Sequence, residues 1–214
     1  MTNVQFNNNY DVFHSFLVEK ADYDGYFELP KIRTSSQLPD SVITFSKAMA
    51  RTWNDFDCWV MFYEHDVNFE RLWHNPKQYL AKLKKFKGII SPDFSLYRNM
   101  PLCMQMWNTY RGRAIAVWLQ NNGVEIIPNV RFNDERTYEF CFDGIEKFKT
   151  VAVGTHGCIK NRIDKDYFKD GLAEPVTIHQ YRPVKILNGA EKPIQRVVKV
   201  TGITPKPEKN GIRI

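Results

Sequence analysis

Short apolar runs recur along the chain, and each of them ends in glycine, proline or polar residues. We interpret five of these runs as buried strands: residues 58–63, 88–90, 124–127, 150–153 and 184–187. Each run is too short for a helix, and its continuous apolar character is typical of a parallel strand that is covered on both faces.

The segments between the predicted strands carry helix signals. Asn75 and Pro76 are a typical N-cap and first helical residue, and an apolar stripe with helical period follows them. A longer helix is predicted over residues 100–122, with Asn99 as its cap and Gly123 as the residue that ends it. Because strands alternate with helices, the sequence predicts an α/β fold with a parallel sheet of βα repeats. A partial TIM-like barrel and an open doubly wound sheet both fit, and the polar residues after nearly every strand favour the barrel-like form.

The length of the chain suits one domain with an appendage. We divide it into an N-terminal helical or irregular packing segment (1–55), a βα-repeat core (56–189) and a basic tail (190–214). Within these parts, residues 41–53 have the apolar spacing of a helix, and a further helix is expected over residues 164–180.

Basic residues are concentrated at the C-terminal end. The formal net charge of the chain is +6, and residues 182–214 carry all of it, with eight Lys or Arg against two Glu. The tail cations that we assign to nucleic-acid contact are Lys192, Arg196, Lys199, Lys206 and Lys209. Such a concentration of charge indicates polyanion binding, although a solvating or partner-docking extension has the same composition.

The four cysteines are scattered, with no Cys-x-x-Cys pair. We expect buried free thiols in a reducing compartment rather than a disulfide or zinc framework. No apolar run reaches the roughly 20 residues of a membrane span, and the N-terminus lacks the basic and apolar regions of a secretory signal. These features predict a cytoplasmic protein without a membrane partner.

Polar residues that follow the predicted strands form the candidate functional site. They are Asp66, Asp93, Ser95, Asn129, Arg131, Thr155, His156, Lys160 and Asn161. Because parallel strands end at the same edge of a sheet, we expect a single cleft lined by Asp66, Asp93, Arg131 and Thr155. Asp93, Asp66 and His156 are the candidate catalytic groups, since such side chains exchange protons. Asp66 and Asp93 also offer the oxygen ligands that Mg²⁺ takes, and the remaining residues would bind an anionic ligand.

A purely structural explanation competes with this hypothesis. Loops at strand ends face water in every α/β protein, so polar residues there need no function. Asp93 can cap a turn with Phe94 and Ser95. If Asp93 is functional instead, Asp93→Asn should lower stability by less than about 1 kcal/mol, as at a tolerant surface position.

The "SPDFS" segment at residues 91–95 resembles the signature of an uncharacterised family, a domain of unknown function found in bacteria, phages and other mobile elements. The resemblance extends through most of residues 56–187, with "GVEIIPNVRF", "FCFDGI" and "VGTHGCIKN" as further parts of it. It implies a fold and a candidate site around Asp93, but no reaction.

Two functions follow from these observations. The first is an enzyme that acts on a phosphate-bearing ligand, a nucleotide or nucleic acid, at the carboxyl edge of the sheet. The second is a non-catalytic binding protein of a phage or mobile element that engages nucleic acid or a host defence protein. The clustered polar residues favour the enzyme, and the charge of the tail favours the binding protein.

Overall fold

The computed structural model of the protein describes residues 11–147, 149–154, 166 and 182–187. Its strands are β1 (Tyr23–Asp24), β2 (Leu29–Pro30), β3 (Val42–Thr44), β4 (Trp59–Met61), β5 (Gly88–Ile90), β6 (Ile126–Ile127), β7 (Thr150–Gly154) and β8 (Arg182–Leu187). Its helices are α1 (Phe45–Ala48), α2 (Glu70–His74), α3 (Pro76–Leu83) and α4 (Leu102–Asn121). Apart from Asp166, the helix expected over 164–180 and the tail over 190–214 lie outside the described residues.

The central sheet is parallel, and its strands follow chain order. β3, β4, β5 and β6 pair in that order. β7 and β8 form a second parallel pair, and a bridge between Asn129 and Ala152 joins β7 to the chain just beyond β6. The predicted α/β fold with parallel βα repeats is confirmed. In a doubly wound sheet the strand order reverses at one point, but the described strands of this sheet follow chain order throughout. These strands also form no closed barrel.

The sheet is strongly curled. A Cβ atom built on Gly154 would lie 2.3 Å from the ring of Tyr63. The ring therefore occupies the space that any larger side chain at residue 154 would need. Tyr63 follows β4 and Gly154 ends β7, three strands further along, where a flat sheet would separate them by about 14 Å. Their contact requires the sheet to bend around its concave face, as in part of a barrel.

Both faces of the curled sheet are buried. The concave face consists of Trp59, Met61, Tyr63, Ile90, Ile127 and Ala152. The convex face packs against the helices, and its residues include Val60, Ile89 and Ile126 of the strands and Phe62 just after β4. Full burial of each such side chain contributes about 1.5–3 kcal/mol. Burial on both faces explains why the strands appear in the sequence as continuous apolar runs.

The helix expected over residues 41–53 is wrong in its first part. Val42–Thr44 is β3, which pairs with β4, and only Phe45–Ala48 is helical. Three consecutive β-branched residues suit a strand, and the open edge of β4 provides the partner. The core sheet therefore begins before residue 56.

The other helices agree more closely with the prediction. α3 begins at Pro76, and α4 ends just before Gly123, which has the left-handed φ of +85°. α4 begins at Leu102 with Pro101 in the N-cap position, two residues after the predicted cap, because proline disfavours the helical conformation of the residue before it. No helix within the described part of the chain is long and apolar enough to cross a membrane.

Candidate functional site

The segment at residues 91–95 leaves β5 and contacts the chain on both sides of it. The buried Ser91 hydroxyl accepts a hydrogen bond from the Asn129 N–H at 2.7 Å. The Pro92 carbonyl lies against Gly112 of α4, where a Cβ would approach the oxygen to 3.0 Å. The segment is thus held between α4 and the chain beyond β6.

Asp93 lies in a buried polar network and is only 5% exposed. Its Oδ1 accepts a hydrogen bond from Asn129 Nδ2 at 2.7 Å, and its Oδ2 accepts one from Arg131 Nη1 at 3.2 Å. The Tyr63 hydroxyl donates to Asn129 Oδ1 at 2.9 Å. A buried carboxylate is tolerated only when it is paired and hydrogen-bonded, and Asp93 is both. The description of Asp93 as a tolerant surface position is therefore wrong, because the segment turns the side chain inward.

Ser95 connects the same segment to the loop after β4. Its N–H and its hydroxyl both donate to the Asp66 carboxylate, at 3.0 Å and 2.8 Å. Asn108 of α4 donates to the Ser95 carbonyl at 2.7 Å. Because Asp66 is partly exposed, its carboxylate lies where the protein meets solvent.

Arg111 of α4 covers Phe94. Its guanidinium carbon lies 4.0 Å from the ring centroid, a favourable cation–π geometry. The same guanidinium pairs with Glu70 of α2 and donates to Asn108 Oδ1 at 2.6 Å. These contacts connect α2, α4 and the segment after β5.

Arg113 is a buried cation that is satisfied mainly by backbone oxygens. Its guanidinium donates to the carbonyls of Asn129, Cys141 and Asp143, at 3.0, 2.9 and 3.2 Å. Burial raises the pKa of the Asp143 carboxyl, and the nearby charge of Asp24 raises it further. Through its bond to the Asn129 carbonyl, Arg113 fixes the backbone of the residue whose side chain donates to Asp93.

A further ion pair, between Asp134 and Arg136, lies in the loop after β6. Asp134 accepts hydrogen bonds from the Arg136 side chain at 2.9 Å and 2.7 Å. This side-chain contact holds the pKa of Asp134 below its ordinary value of 3.8, against the opposing effect of burial.

The structure brings five of the predicted site residues to the carboxyl edge: Asp66, Asp93, Ser95, Asn129 and Arg131. The other predicted residues, Thr155, His156, Lys160 and Asn161 and the five tail cations, lie outside the described residues. Sequence reasoning missed Tyr63, Arg111 and Arg113. The burial of Arg113 could have been predicted, because this charged residue directly precedes the apolar stretch 114–119 of a helix.

One cavity beside the network is small. A cavity of about 10 Å³ lies between Phe94, Asn108, Arg113, Asn129 and Arg131, which is room for a single water molecule. A larger ligand therefore does not fit in this cavity.

No group of three or more His, Cys, Asp or Glu side chains is arranged to hold a metal ion within the described residues. Asp66 and Asp93 instead accept hydrogen bonds from Ser95, Asn129 and Arg131. A Mg²⁺ site built on these two carboxylates stays a prediction.

Comparison with known proteins shows which sequences this chain resembles. Residues 21–202 match the family described as "Domain of unknown function (DUF4417)". The "Gene 1 protein" of Mycobacterium phage L5 is 32% identical over 149 residues, which cover 69% of this chain and 65% of that protein. The "Gene 1 protein" of Mycobacterium phage D29 is 30% identical over 149 residues, or 69% of this chain and 55% of that protein. The match thus spans less than two thirds of either relative, and no solved structure matches the chain.

Proposed function

The chain belongs to this family of domains of unknown function, and we propose that it binds a phosphate-bearing ligand of the nucleotide or nucleic-acid class at the carboxyl edge of its sheet. Arg131 is the proposed contact to the phosphate, and Asp93 positions the Arg131 side chain. The ligand would lie on the solvent side of the guanidinium, where Asp66 and Ser95 are also partly exposed.

The ion pair between Asp93 and Arg131 is the observation that carries this proposal. The Asp93 side chain is 4% exposed and that of Arg131 is 13% exposed, so Asp93 is the more deeply buried partner and the arginine side chain lies nearer to solvent. A buried ion pair is often no more stabilising than apolar residues of the same volume. The pair between Asp93 and Arg131 lies at the sheet edge where α/β proteins bind ligands, and this location favours a functional role for the pair.

Arginine suits this role because its planar guanidinium matches the geometry of a phosphate and stays charged. The Asp93 carboxylate and its Asn129 contact restrict the orientation of the arginine before a ligand arrives. Such preorganisation lowers the entropy that ligand binding must otherwise cost.

If the ligand is a substrate, Asp66 is a better candidate for proton transfer than Asp93. Both carboxylates accept hydrogen bonds from protein donors at each oxygen, but Asp93 is buried with Arg131 whereas Asp66 is partly exposed. His156, Thr155, Lys160 and Asn161 follow β7 in the chain, and since β7 is parallel to its neighbours, we propose that they complete the same edge.

The test is a thermal-shift screen of the full chain against mononucleotides, with and without Mg²⁺. A ligand at a hundred times its dissociation constant contributes about 2.7 kcal/mol, which raises Tm by about 5–10 °C for a chain of this size. We expect the shift to be lost in Arg131→Gln and reduced in Arg131→Lys, which keeps the charge but not the planar fork.

The matched control is Arg51→Gln, which removes an exposed arginine that is not part of the site. Its ligand-induced shift should equal that of the wild type. Each shift is measured from the variant's own Tm, since Arg131→Gln also breaks the pair with Asp93. An equal shift in wild type and both Arg131 variants would overturn the proposal, as would the absence of any shift in the wild type.

The second candidate function is a non-catalytic binding protein. The concentration of the whole net charge in residues 182–214 favours it, and we propose that this segment contacts nucleic acid or a host protein. In that case the carboxyl edge would have a structural role only.

A further inference from the structure

A second polar cavity, of about 220 Å³, lies at the opposite edge of the sheet. Gln120 and Asn121, at the end of α4, form part of its wall together with Arg33. Two residues after Arg33, the Ser35 N–H donates to the Ile126 carbonyl at the start of β6, at 2.8 Å. Since α4 connects β5 to β6, its C-terminal end and the start of β6 mark the amino edge, away from Asp93.

The backbone at Arg33 is fixed by side chains distant in sequence. Gln120 Oε1 accepts from the Arg33 N–H at 3.0 Å, and Gln120 Nε2 donates to the Arg33 carbonyl at 2.6 Å. Glu146 Oε2 accepts from the Thr34 N–H at 2.8 Å. Three long-range hydrogen bonds thus hold this irregular segment, and its Arg33 side chain lines the cavity.

Three cations line this cavity: Lys20, Lys31 and Arg33. All three are exposed, and none of them forms an ion pair with another residue in the described part of the chain. Two acidic residues, Asp22 and Glu146, lie in the same wall. The lining therefore combines cationic donors for an anion with carboxylate acceptors for hydroxyl or amine groups.

The cations also lie near the C-terminus of α4, whose dipole attracts positive charge. That dipole is equivalent to about −0.5 of an elementary charge, which one cation in the last turn would offset. Three cations around one cavity are more than the helix dipole requires. The two lining acids and the dipole nearly cancel the charge of the three cations, so the cavity has little overall attraction for a polyanion. A ligand must therefore be recognised through direct contacts with individual side chains.

We propose that this cavity binds a small phosphomonoester that also carries hydroxyl groups, a ligand of the sugar-phosphate class. The cations contact the phosphate, and Asp22 and Glu146 accept hydrogen bonds from the hydroxyl groups. The volume is below the roughly 300–1,000 Å³ of pockets for drug-sized molecules, which fits a ligand of this size. The site is separate from the carboxyl edge and does not depend on the function proposed there.

The experiment is a titration of the ¹⁵N-labelled full chain with ribose 5-phosphate, followed in ¹H–¹⁵N spectra at constant ionic strength. Saturable shifts are expected at the backbone amides of Arg33 and Thr34 and at the side-chain amide of Gln120. In the double variant Lys31→Gln/Arg33→Gln the affinity should fall about tenfold or more. Both substituted side chains are exposed, so the variant is expected to fold.

The matched control is Arg51→Gln/Lys84→Gln, which removes one exposed arginine and one exposed lysine away from the cavity. It should bind ribose 5-phosphate as the wild type does. Equal affinity in the Lys31/Arg33 variant, or no saturable shift in the wild type, would overturn the proposal. Inorganic phosphate that binds as tightly as ribose 5-phosphate would overturn the role of the two acids. Shifts confined to Arg131 and Ser95 would support the carboxyl-edge site and reject this one.

Discussion

Gly88 and Trp59 are register partners on neighbouring strands, and the indole ring of Trp59 covers the space above the glycine. A Cβ built on Gly88 would lie 2.4 Å from that ring. The ring is 1% exposed and cannot move aside. At this position glycine is required for packing on the concave face and not for a special backbone angle.

The first prediction is that Gly88→Ala lowers the free energy of unfolding by about 3 kcal/mol, because the methyl group overpacks a filled core. Urea denaturation measures the change. In a Trp59→Ala background the same substitution should cost far less, since the clash is gone. A cost of the same size in both backgrounds would show that the ring is not the cause.

The second prediction concerns Asp93→Asn. The variant leaves Arg131 without its buried counter-ion, and breaking such a pair costs about 3 kcal/mol. A double-mutant cycle with Arg131→Gln should show coupling, since either single change removes the same interaction. A loss below about 1 kcal/mol, with no coupling, would instead fit a tolerant surface position.

The third prediction separates the thiols by reactivity. Burial raises the pKa of Cys58 and, more strongly, that of Cys141, so both stay protonated and unreactive in the folded protein. Cys103 is exposed, contrary to the expectation that the thiols are buried. A thiol reagent at about pH 8, read by site-resolved mass spectrometry, should modify Cys103 in the native state and Cys58 and Cys141 only on unfolding. Cys158 lies outside the described residues. In Cys103→Ser, Cys58 and Cys141 should stay unmodified in the native state, and native labelling of Cys141 at the rate of Cys103 would contradict its burial.

The fourth prediction is a pH dependence at Asp134. Because Arg136 holds the folded pKa of Asp134 below 3.8, the pair contributes stability at neutral pH, and this stability is lost as the pH falls through the folded pKa. Arg136→Gln should therefore be less stable than the wild type at pH 7, and the difference in the free energy of unfolding should shrink as the pH falls below about 4. Urea midpoints between about pH 7 and pH 2 follow the change. A difference that stays constant with pH would mean that the arginine acts by packing alone.

The fifth prediction tests the basic tail. If about five of its cations contact phosphates of duplex DNA, the logarithm of affinity should fall against log salt with a slope near −4 to −5. A chain that ends after Gly189 lacks six of the eight basic residues of 182–214 and keeps β8. Its slope should be much shallower, while nucleotide binding at the carboxyl edge is retained. Equal slopes for the two chains, or no DNA binding at about 50 mM salt, would leave the tail as a solubilising or protein-docking extension.

The order and type of most core elements could be predicted from the sequence. Runs such as Gly88–Ile90 and Thr150–Gly154 are strands because an apolar run between breakers has one stable environment, a sheet covered on both faces. The ends of α4 were also predicted to within two residues, because Pro101 and Gly123 act through local backbone geometry. Likewise the polar residues after the strands pointed to the carboxyl edge, because parallel strands share that edge.

Which of those polar side chains face inward, and what they contact, depends on how distant parts of the chain pack together. Asp93 and Asp66 look alike in the sequence, yet one lies beneath an arginine and the other lies at the solvent boundary. The strand at Val42–Thr44 likewise depended on the open edge of β4, which outweighs a helical spacing of apolar residues. The curl that brings Tyr63 against Gly154 has the same origin: strands distant in the chain must pack together before a ring can occupy the space above a glycine.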